Sequence, residues 1–168
     1  PAFGLQTMGE KAIAATQPDG NMSLDLKIEQ VKQYPTKDGE VTEILLKDKV
    51  YPFEIKQYYK AYQGTDIIST WIEIMNNGKK SVTLYRFVSA YLPVQRGDNW
   101  LTHFHGHWGA ENMLEEEKLT NGQKVISNKD GMVNTETDNP SFMLSIDGKP
   151  QEEYGHILGG TLAWTGNY

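Results

Sequence analysis

Short runs of alternating side chains, rich in β-branched and aromatic residues, fill the middle of this chain. They occupy residues 53–62, 67–74 and 82–92, and they are separated by Gly-Thr-Asp at 64–66 and by Asn-Gly at 77–78. Alternation with a period of two places successive side chains on opposite faces of a sheet, so each run predicts a strand. Because Asn-Gly favours a tight hairpin, we expect residues 82–92 to pair back on residues 67–74.

Further strands are predicted near residues 125–127, 142–146 and 156–164. A charged connector at residues 37–40, with the sequence KDGE, predicts a loop, and helical periodicity is weak throughout. Short strands with turn signals about every 8–12 residues are typical of a sandwich or a barrel. We therefore predict an all-β, antiparallel fold with few or no long helices, in one domain that spans residues 1–168 without an internal linker.

The composition narrows the possible partners and chemistry. The 168 residues carry a net charge of −6, which argues against nucleic acid, because phosphates are bound by patches of lysine and arginine. No apolar run approaches the roughly 20 residues of a membrane helix, so we expect no membrane partner. The absence of cysteine excludes disulfides, thiolate metal sites and a cysteine nucleophile, and it leaves both the cytoplasm and the periplasm open.

The two ends of the sequence differ from those of most complete proteins. The first residue is Pro1 rather than methionine, and residues 164–168 do not form a tapering polar tail. We expect the chain to be a piece of a longer protein, with any targeting segment already removed.

Three of the four histidines lie in one segment, residues 103–108, with the sequence HFHGHW. In a strand, alternation would place all three imidazoles on the same face, an arrangement that can hold a transition metal. With Glu111, the pair His103 and His105 is similar to a cupin metal motif, and His156 is the fourth histidine. The other interpretation is a set of packed or surface histidines that hydrogen-bond carbonyls and carboxylates or contact a sugar. We favour this second interpretation.

The four tryptophans and the acidic run have two interpretations each. Trp71 and Trp164 lie within apolar runs, so we expect them in the core, whereas Trp100 and Trp108 flank a glycine-containing turn and could stack on a ligand. Residues 115–117, all glutamate, are more typical of a solvated face than of a glycosidase pair. No nucleophile elbow, phosphate-binding loop or dinucleotide-binding motif is present, so the chain lacks a self-sufficient active site.

Seven short motifs follow one another between residues 45 and 168. They are Leu45–Asp48, Tyr58–Tyr62, Asp66–Gly78, Leu84–Ala90, Gly106–Glu111, Asn139–Phe142 and Ala163–Tyr168. The longest follows the pattern D-x-I-x-R-x-x-x-I-x-N-x-G, except that Thr70 stands in place of arginine. Their shared order resembles that of the N-terminal domain of microbial α-galactosidases of glycoside hydrolase family thirty-six.

This resemblance implies a two-sheet antiparallel β-supersandwich, the galactose-mutarotase-like architecture, packed against a catalytic (β/α)8 barrel that would follow residue 168. In the family, two aspartates of that barrel hydrolyse α-galactosides with retention, so no catalytic residue is expected in this chain. The resemblance also implies a homo-oligomer, a galactoside substrate and no cofactor. By this analogy, His105, His107, Trp108 and Glu111 are the candidates for the active-site rim or a subunit interface.

The domain would then support barrel packing, oligomer contacts and the rim of the active site. Two alternatives stay open from the residues alone. One is a cupin-like metal-binding enzyme that uses His103, His105 and Glu111. The other is a free-standing carbohydrate-binding sandwich with an exposed Trp100 or Trp108.

Overall fold

The computed structural model describes residues 12–88, 92–132, 135–164 and 166–168. Among these residues there are ten strands in three antiparallel sheets and no helix. The prediction of an all-β, antiparallel fold is confirmed. The described residues therefore include no helix that is long and apolar enough to cross a membrane.

The chain divides into two compact units, Pro1–Tyr91 and Leu92–Tyr168. The first unit contains β1 to β6 and the second contains β7 to β10. The strands are β1 (Ile13–Thr16), β2 (Leu26–Thr36), β3 (Gly39–Asp48), β4 (Phe53–Tyr62), β5 (Ile68–Asn76), β6 (Thr83–Phe87), β7 (Trp100–His107), β8 (Ala110–Lys118), β9 (Ser141–Ser145) and β10 (Ile157–Thr161). The expectation of a single domain without an internal linker stays a prediction.

The larger sheet of the first unit is a meander in the order β2-β3-β4-β5. Thr36 pairs with Gly39, so residues 37–38 of the predicted loop form the tight turn between β2 and β3, whereas residues 39–40 already belong to β3. Lys60 on β4 contacts Asp38 in that turn, with Nζ 2.7 Å from Oδ1. The long strands on either side of this turn were not among the predicted strands, because their alternation is interrupted by charged residues.

The predicted pairing of residues 82–92 with residues 67–74 is wrong. In the described part of that segment, β6 covers only Thr83–Phe87, and it pairs with β1 to form a separate two-stranded ribbon. Residues 89–91 lie outside the described residues. β5 instead pairs with β4, from Phe53 opposite Asn76 to Ala61 opposite Ile68.

Hydrogen bonds at the end of β5 explain why the Asn-Gly pair does not make a hairpin. Asn76 Oδ1 accepts from the Gly78 N–H at 3.0 Å, and the Asn77 N–H donates to the Pro52 carbonyl at 2.8 Å. These bonds hold the segment after β5 against the segment that precedes β4. The chain therefore leaves the sheet at this point instead of reversing along β5.

The core of the first unit lies where β1 covers one face of the meander. Ala15, Phe53 and Ile55 form a buried cluster with 0%, 2% and 3% of their surface exposed. Partly buried apolar side chains surround this cluster, namely Ile13, Leu24, Leu26, Leu46, Tyr51, Ile72, Ile74 and Val82. β1 and the meander thus form two packed layers, as expected when the apolar face of a sheet is buried against another element.

The second unit is built on one sheet in the order β10-β9-β7-β8. β9 and β10 confirm the strands predicted near 142–146 and 156–164. The strand predicted at 125–127 is wrong, because this stretch is irregular. It leads to Asn128, which exchanges two backbone hydrogen bonds with Tyr168, at 2.9 Å and 3.2 Å, and it therefore meets the end of the chain rather than a strand of the sheet.

Candidate functional site at the β7–β8 hairpin

The histidine-rich segment is a strand, β7, and it turns directly into β8. His107 pairs with Ala110, so Trp108 and Gly109 form the turn between the two strands. Gly109 has a φ of 82°, a left-handed conformation that glycine adopts without the steric cost of a Cβ atom. The hairpin therefore presents Trp108 at its tip.

A β-bulge lies immediately below the tip. Glu111 and Asn112 on β8 face the single residue Gly106 on β7, and Asn112 has a φ of 52°. The Asn112 N–H donates to the Thr135 carbonyl at 3.0 Å. A Cβ atom on Gly106 would lie 2.3 Å from that same carbonyl oxygen. The bulge thus fixes the tip against the segment around Thr135, and only glycine fits at position 106.

The first histidine of the segment is buried. His103 has 4% of its surface exposed, and its Nε2 lies 3.5 Å from Glu115 and 3.4 Å from Glu117 on β8. Neither ring nitrogen has a hydrogen-bond partner with good geometry among the described residues. The Lys124 ammonium contacts Glu117, and its hydrogen bond is the main cause that lowers the pKa of that carboxyl. His103 is therefore a packed residue beside carboxylates.

The second and third histidines are exposed and have their own partners. His105 Nδ1 lies 3.3 Å from Asp138 Oδ1, and the hydroxyl of Tyr168 donates to the Asp138 carbonyl at 2.6 Å. His107 Nδ1 lies 3.0 Å from the Trp108 carbonyl oxygen. The three imidazoles therefore do not converge on one point. Asp138 and Tyr168 were not predicted, because each lies more than 30 residues from His105 and carries no local signal.

The cupin-like alternative is not supported. Within the described ranges, no group of three or more histidine, aspartate or glutamate side chains is arranged to hold a metal ion, and this includes His103, His105 and Glu111. His156 lies in the β9–β10 connection, where its Nδ1 is 2.8 Å from Asp147 Oδ2. That hydrogen bond is the main cause that lowers the pKa of Asp147.

The tryptophans differ in how much of each ring is free. Trp108 is 83% exposed, whereas Trp100 is partly buried and has the Lys149 ammonium 5.5 Å from its ring centroid. The expectation of core positions for Trp71 and Trp164 is wrong, since they are 41% and 60% exposed. Trp71 stacks on Tyr58 with ring centroids 4.8 Å apart. The apolar run around Trp71 misled the prediction, because its neighbours Ile72 and Ile74 supply the packing.

The hairpin therefore brings the four candidate residues to one exposed tip. Trp108 offers an uncovered indole, His105 and His107 offer imidazoles, and Glu111 offers a carboxylate on the bulge. An aromatic face with polar groups around it is suited to stacking on a sugar or to an interface. The arrangement of the hairpin tip is therefore suited to binding a sugar or another protein surface.

Comparison with known proteins shows that the whole chain matches one protein family. A family model described as the glycosyl hydrolase family 36 N-terminal domain matches residues 1–168. The α-galactosidase AgaA of Geobacillus stearothermophilus is 23% identical over 183 aligned residues, which cover 100% of this chain and 25% of that protein. An α-galactosidase of Lactobacillus acidophilus is 27% identical over 172 residues, which cover 94% of this chain and 23% of the relative.

Solved structures share the fold. A crystal structure of an AgaA variant in complex with stachyose has a TM-score of 0.86 at 22% identity, and it covers 99% of this chain and 25% of that chain. The α-galactosidase of Lactobacillus brevis has a TM-score of 0.82 at 21% identity, with 95% and 23% covered. The chain therefore spans about a quarter of the length of the relatives that it matches.

Proposed function

Because this chain belongs to the glycosyl hydrolase family 36 N-terminal domain family, we propose that it is the non-catalytic N-terminal domain of a retaining α-galactosidase. The observation that carries the proposal is the family match over all 168 residues. The catalytic (β/α)8 barrel would follow residue 168, and two of its aspartates would act as nucleophile and as acid–base. The domain would position this barrel and contribute contacts between subunits of a homo-oligomer.

The names of the relatives support an α-galactoside as the substrate of the whole enzyme. The curated relatives are α-galactosidases, and solved structures of AgaA variants contain stachyose or raffinose. Both sugars are described for that protein, and for this chain they define the substrate class to test. No cofactor is part of the proposal, since hydrolysis by a carboxylate pair requires none.

The β7–β8 tip is the proposed contribution of this domain to the active-site rim or to a neighbouring subunit. Trp108 is 83% exposed at the tip, and the bulge at Gly106 holds the turn in place. Exposed aromatic residues on rigid elements are enriched at interfaces, because they bury a large area with little loss of conformational freedom. His105, His107 and Glu111 would supply polar contacts around the indole.

The coding sequence downstream of the Tyr168 codon tests the domain assignment. We expect it to continue into alternating strands and helices, with aspartates at the carboxyl ends of barrel strands. A stop codon within a few residues of Tyr168 would contradict the proposal. The chain would then be a free-standing sandwich, and binding of sugars to Trp108 would be the next measurement.

A further inference from the structure

The two edge strands of the larger sheet in the first unit, β2 and β5, differ in how they are protected. β2 carries Lys27 and Lys32, has Pro35 near its end and contains a β-bulge. Lysines, proline and bulges hinder the pairing of an edge strand with another chain. β5 has nine residues with regular pairing to β4, and Glu73 is its only charged residue. β5 is therefore the edge of this sheet that is suited to pairing.

The backbone groups of alternate β5 residues point away from the sheet. The Tyr62 N–H donates to the Ile67 carbonyl at 3.1 Å, and the Asn77 N–H donates to the Pro52 carbonyl at 2.8 Å, one bond at each end of the β4–β5 ladder. Hydrogen-bonded and non-hydrogen-bonded pairs alternate along an antiparallel ladder. The N–H and C=O groups of residues 69, 71, 73 and 75 therefore point toward β4, and those of residues 68, 70, 72 and 74 point outward.

The outward side of β5 also presents the free face of an indole ring. Trp71 lies opposite Tyr58 in the register, and the two rings are stacked 4.8 Å apart with their planes 8° from parallel. This separation equals the roughly 4.7–4.9 Å between neighbouring strands. Trp71 is 41% exposed and Ile68 is 66% exposed. A further strand beside β5 would therefore find an open, apolar ring face at the correct spacing.

β5 is complementary to a second copy of itself in the antiparallel orientation. When the two-fold axis passes through Trp71, the two Trp71 residues face each other, Thr70 faces Ile72, and Ile68 faces Ile74. The last two pairs join residues whose backbone groups point outward, so both can be hydrogen-bonded pairs. The two Trp71 residues then form a non-hydrogen-bonded pair, in which side chains lie closest. The backbone and the side chains therefore favour the same register.

Polar groups along β5 are complementary in this register as well. Ser69 of one copy lies opposite Glu73 of the other, so a hydroxyl donor meets a carboxylate acceptor. Asp66 precedes the strand and Lys79 follows it, and both residues are exposed. Antiparallel pairing therefore brings the negative end of each strand beside the positive end of the other, which favours association.

These observations select a second copy of the chain as the occupant of this edge. A sugar would stack on the indole, but it would not match the row of outward backbone groups. We propose that two copies of this chain pair through β5 to form one continuous sheet, with a two-fold axis at Trp71. Such an interface is isologous and closes at the dimer. It is separate from the β7–β8 tip, and its role between subunits of a full-length enzyme rests on the proposed function.

Sedimentation equilibrium of the chain over a range of concentrations measures the association. We expect a reversible change from one to two copies, and a mass that stays at one copy, or assembly beyond two, would overturn the proposal. Ile68→Lys places a charge against Ile74 of the second copy and should weaken association at least tenfold. Ile28→Lys is the matched control on β2, because Ile28 is 65% exposed, and it should leave the association unchanged. Equal effects of the two substitutions would contradict the proposal.

A single cysteine tests the register. The chain contains no cysteine, so Trp71→Cys introduces one thiol at the proposed axis. A non-hydrogen-bonded pair has Cα atoms roughly 4.5 Å apart, within the range that a disulfide spans, so oxidation should link two copies. Glu73→Cys is the control on the same face of β5, and it should stay unlinked because it faces Ser69 of the second copy. Equal yields of linked dimer would overturn the proposal.

The full-length protein decides whether a second copy or another part of the same polypeptide lies against β5. The disulfide of Trp71→Cys, identified by mass spectrometry as position 71 linked to position 71, should form there too. A full-length Trp71→Cys variant without this link would overturn the proposal. These outcomes are read from mass and cross-linking, so they are distinct from a failure of the α-galactosidase assignment, which is read from activity.

Discussion

Gly106 is the residue of the hairpin at which another segment, that around Thr135, approaches the backbone most closely among the hairpin's two glycines. A Cβ at Gly106 would lie 2.3 Å from the Thr135 carbonyl oxygen, whereas a Cβ at Gly109, the other glycine of the hairpin, would meet no atom within 4 Å. The sequence places a glycine between two histidines, which by itself signals a bulge or a close backbone approach. It does not indicate that Thr135 is the neighbour, because that contact spans a long loop.

Gly106→Ala should lower the free energy of unfolding by about 2 kcal/mol or more, because the added methyl group forces the Thr135 carbonyl away from its bond with Asn112. Gly159→Ala is the control, since a Cβ there meets no atom within 4 Å. It should change stability by less than about 1 kcal/mol. Urea unfolding measures both, and equal losses would show that the close approach at Gly106 does not matter.

Tyr58 gives a pH-dependent prediction at the same scale. Its burial, followed by the charges of Glu43 and Glu73, raises its pKa to about 12. A tyrosine in the unfolded chain loses its proton near pH 10. Between these two values the folded chain holds a proton that the unfolded chain has lost, so this contribution to stability is present below pH 10 and declines as the pH rises toward 12.

Tyr58→Phe should therefore flatten the fall in unfolding free energy between pH 10 and about 12. Tyr59→Phe, at an exposed neighbour on the same strand, should leave the slope as it is in the wild type. Chemical denaturation at several pH values in this range measures the slopes. If the two variants have the same slope, burial of the Tyr58 phenol does not cause the fall in unfolding free energy over this pH range.

At the scale of elements, β4 organises the first unit. It lies between β3 and β5 in the meander, and its residues Phe53 and Ile55 form the buried cluster with Ala15 of β1. Alternation in the sequence predicted β4 with the bounds that the structure shows, because both of its edges are paired and one face is packed. The pairing of β6 could not be predicted in the same way, because it depends on the side-chain and backbone hydrogen bonds around Asn76.

Phe53→Ala should cost about 3–5 kcal/mol of unfolding free energy, since it removes a buried ring from the cluster and leaves a cavity. Phe87→Ala on β6 is the matched control, because Phe87 is 62% exposed. Its cost should be below about 1 kcal/mol. A guanidinium unfolding series compares them, and a similar cost for both would place the core elsewhere.

The β7–β8 hairpin is the element on which the candidate site depends. The sequence named Trp108, His105, His107 and Glu111 as candidates for the rim or an interface, and the structure places all four on the β7–β8 hairpin because they are close along the chain. It did not predict that the three histidines have different partners, since Asp138 comes from a distant segment. Short-range geometry was thus predictable, and the long-range contacts that separate a metal site from a binding surface were not.

Trp108→Ala in the full-length protein should lower kcat/KM for an α-galactoside about fivefold, which corresponds to the roughly 1 kcal/mol of a stacked aromatic contact. The melting temperature should not change, because Trp108 is 83% exposed. Val50→Ala is the control at another exposed residue, 78% accessible, and it should leave kcat/KM unaltered. Full activity in Trp108→Ala would contradict the proposal that the β7–β8 tip contributes to the active-site rim.

At the scale of the whole molecule, the accessory role that we propose rests on the family to which the chain belongs. The chain matches its family over all 168 residues, and it spans about a quarter of the α-galactosidases to which it is similar. Its candidate site is an exposed tip with an indole, two imidazoles and one carboxylate. Such a surface can position a substrate or a subunit, while the hydrolysis itself would be carried out by the barrel.

The most direct test is the release of galactose from melibiose or raffinose, measured for the full-length protein and for the isolated 168-residue chain under the same conditions. We predict turnover by the full-length protein and none by the isolated chain. Turnover by the purified chain alone would contradict its non-catalytic role, and a full-length protein without activity on either sugar would contradict its place in an α-galactosidase.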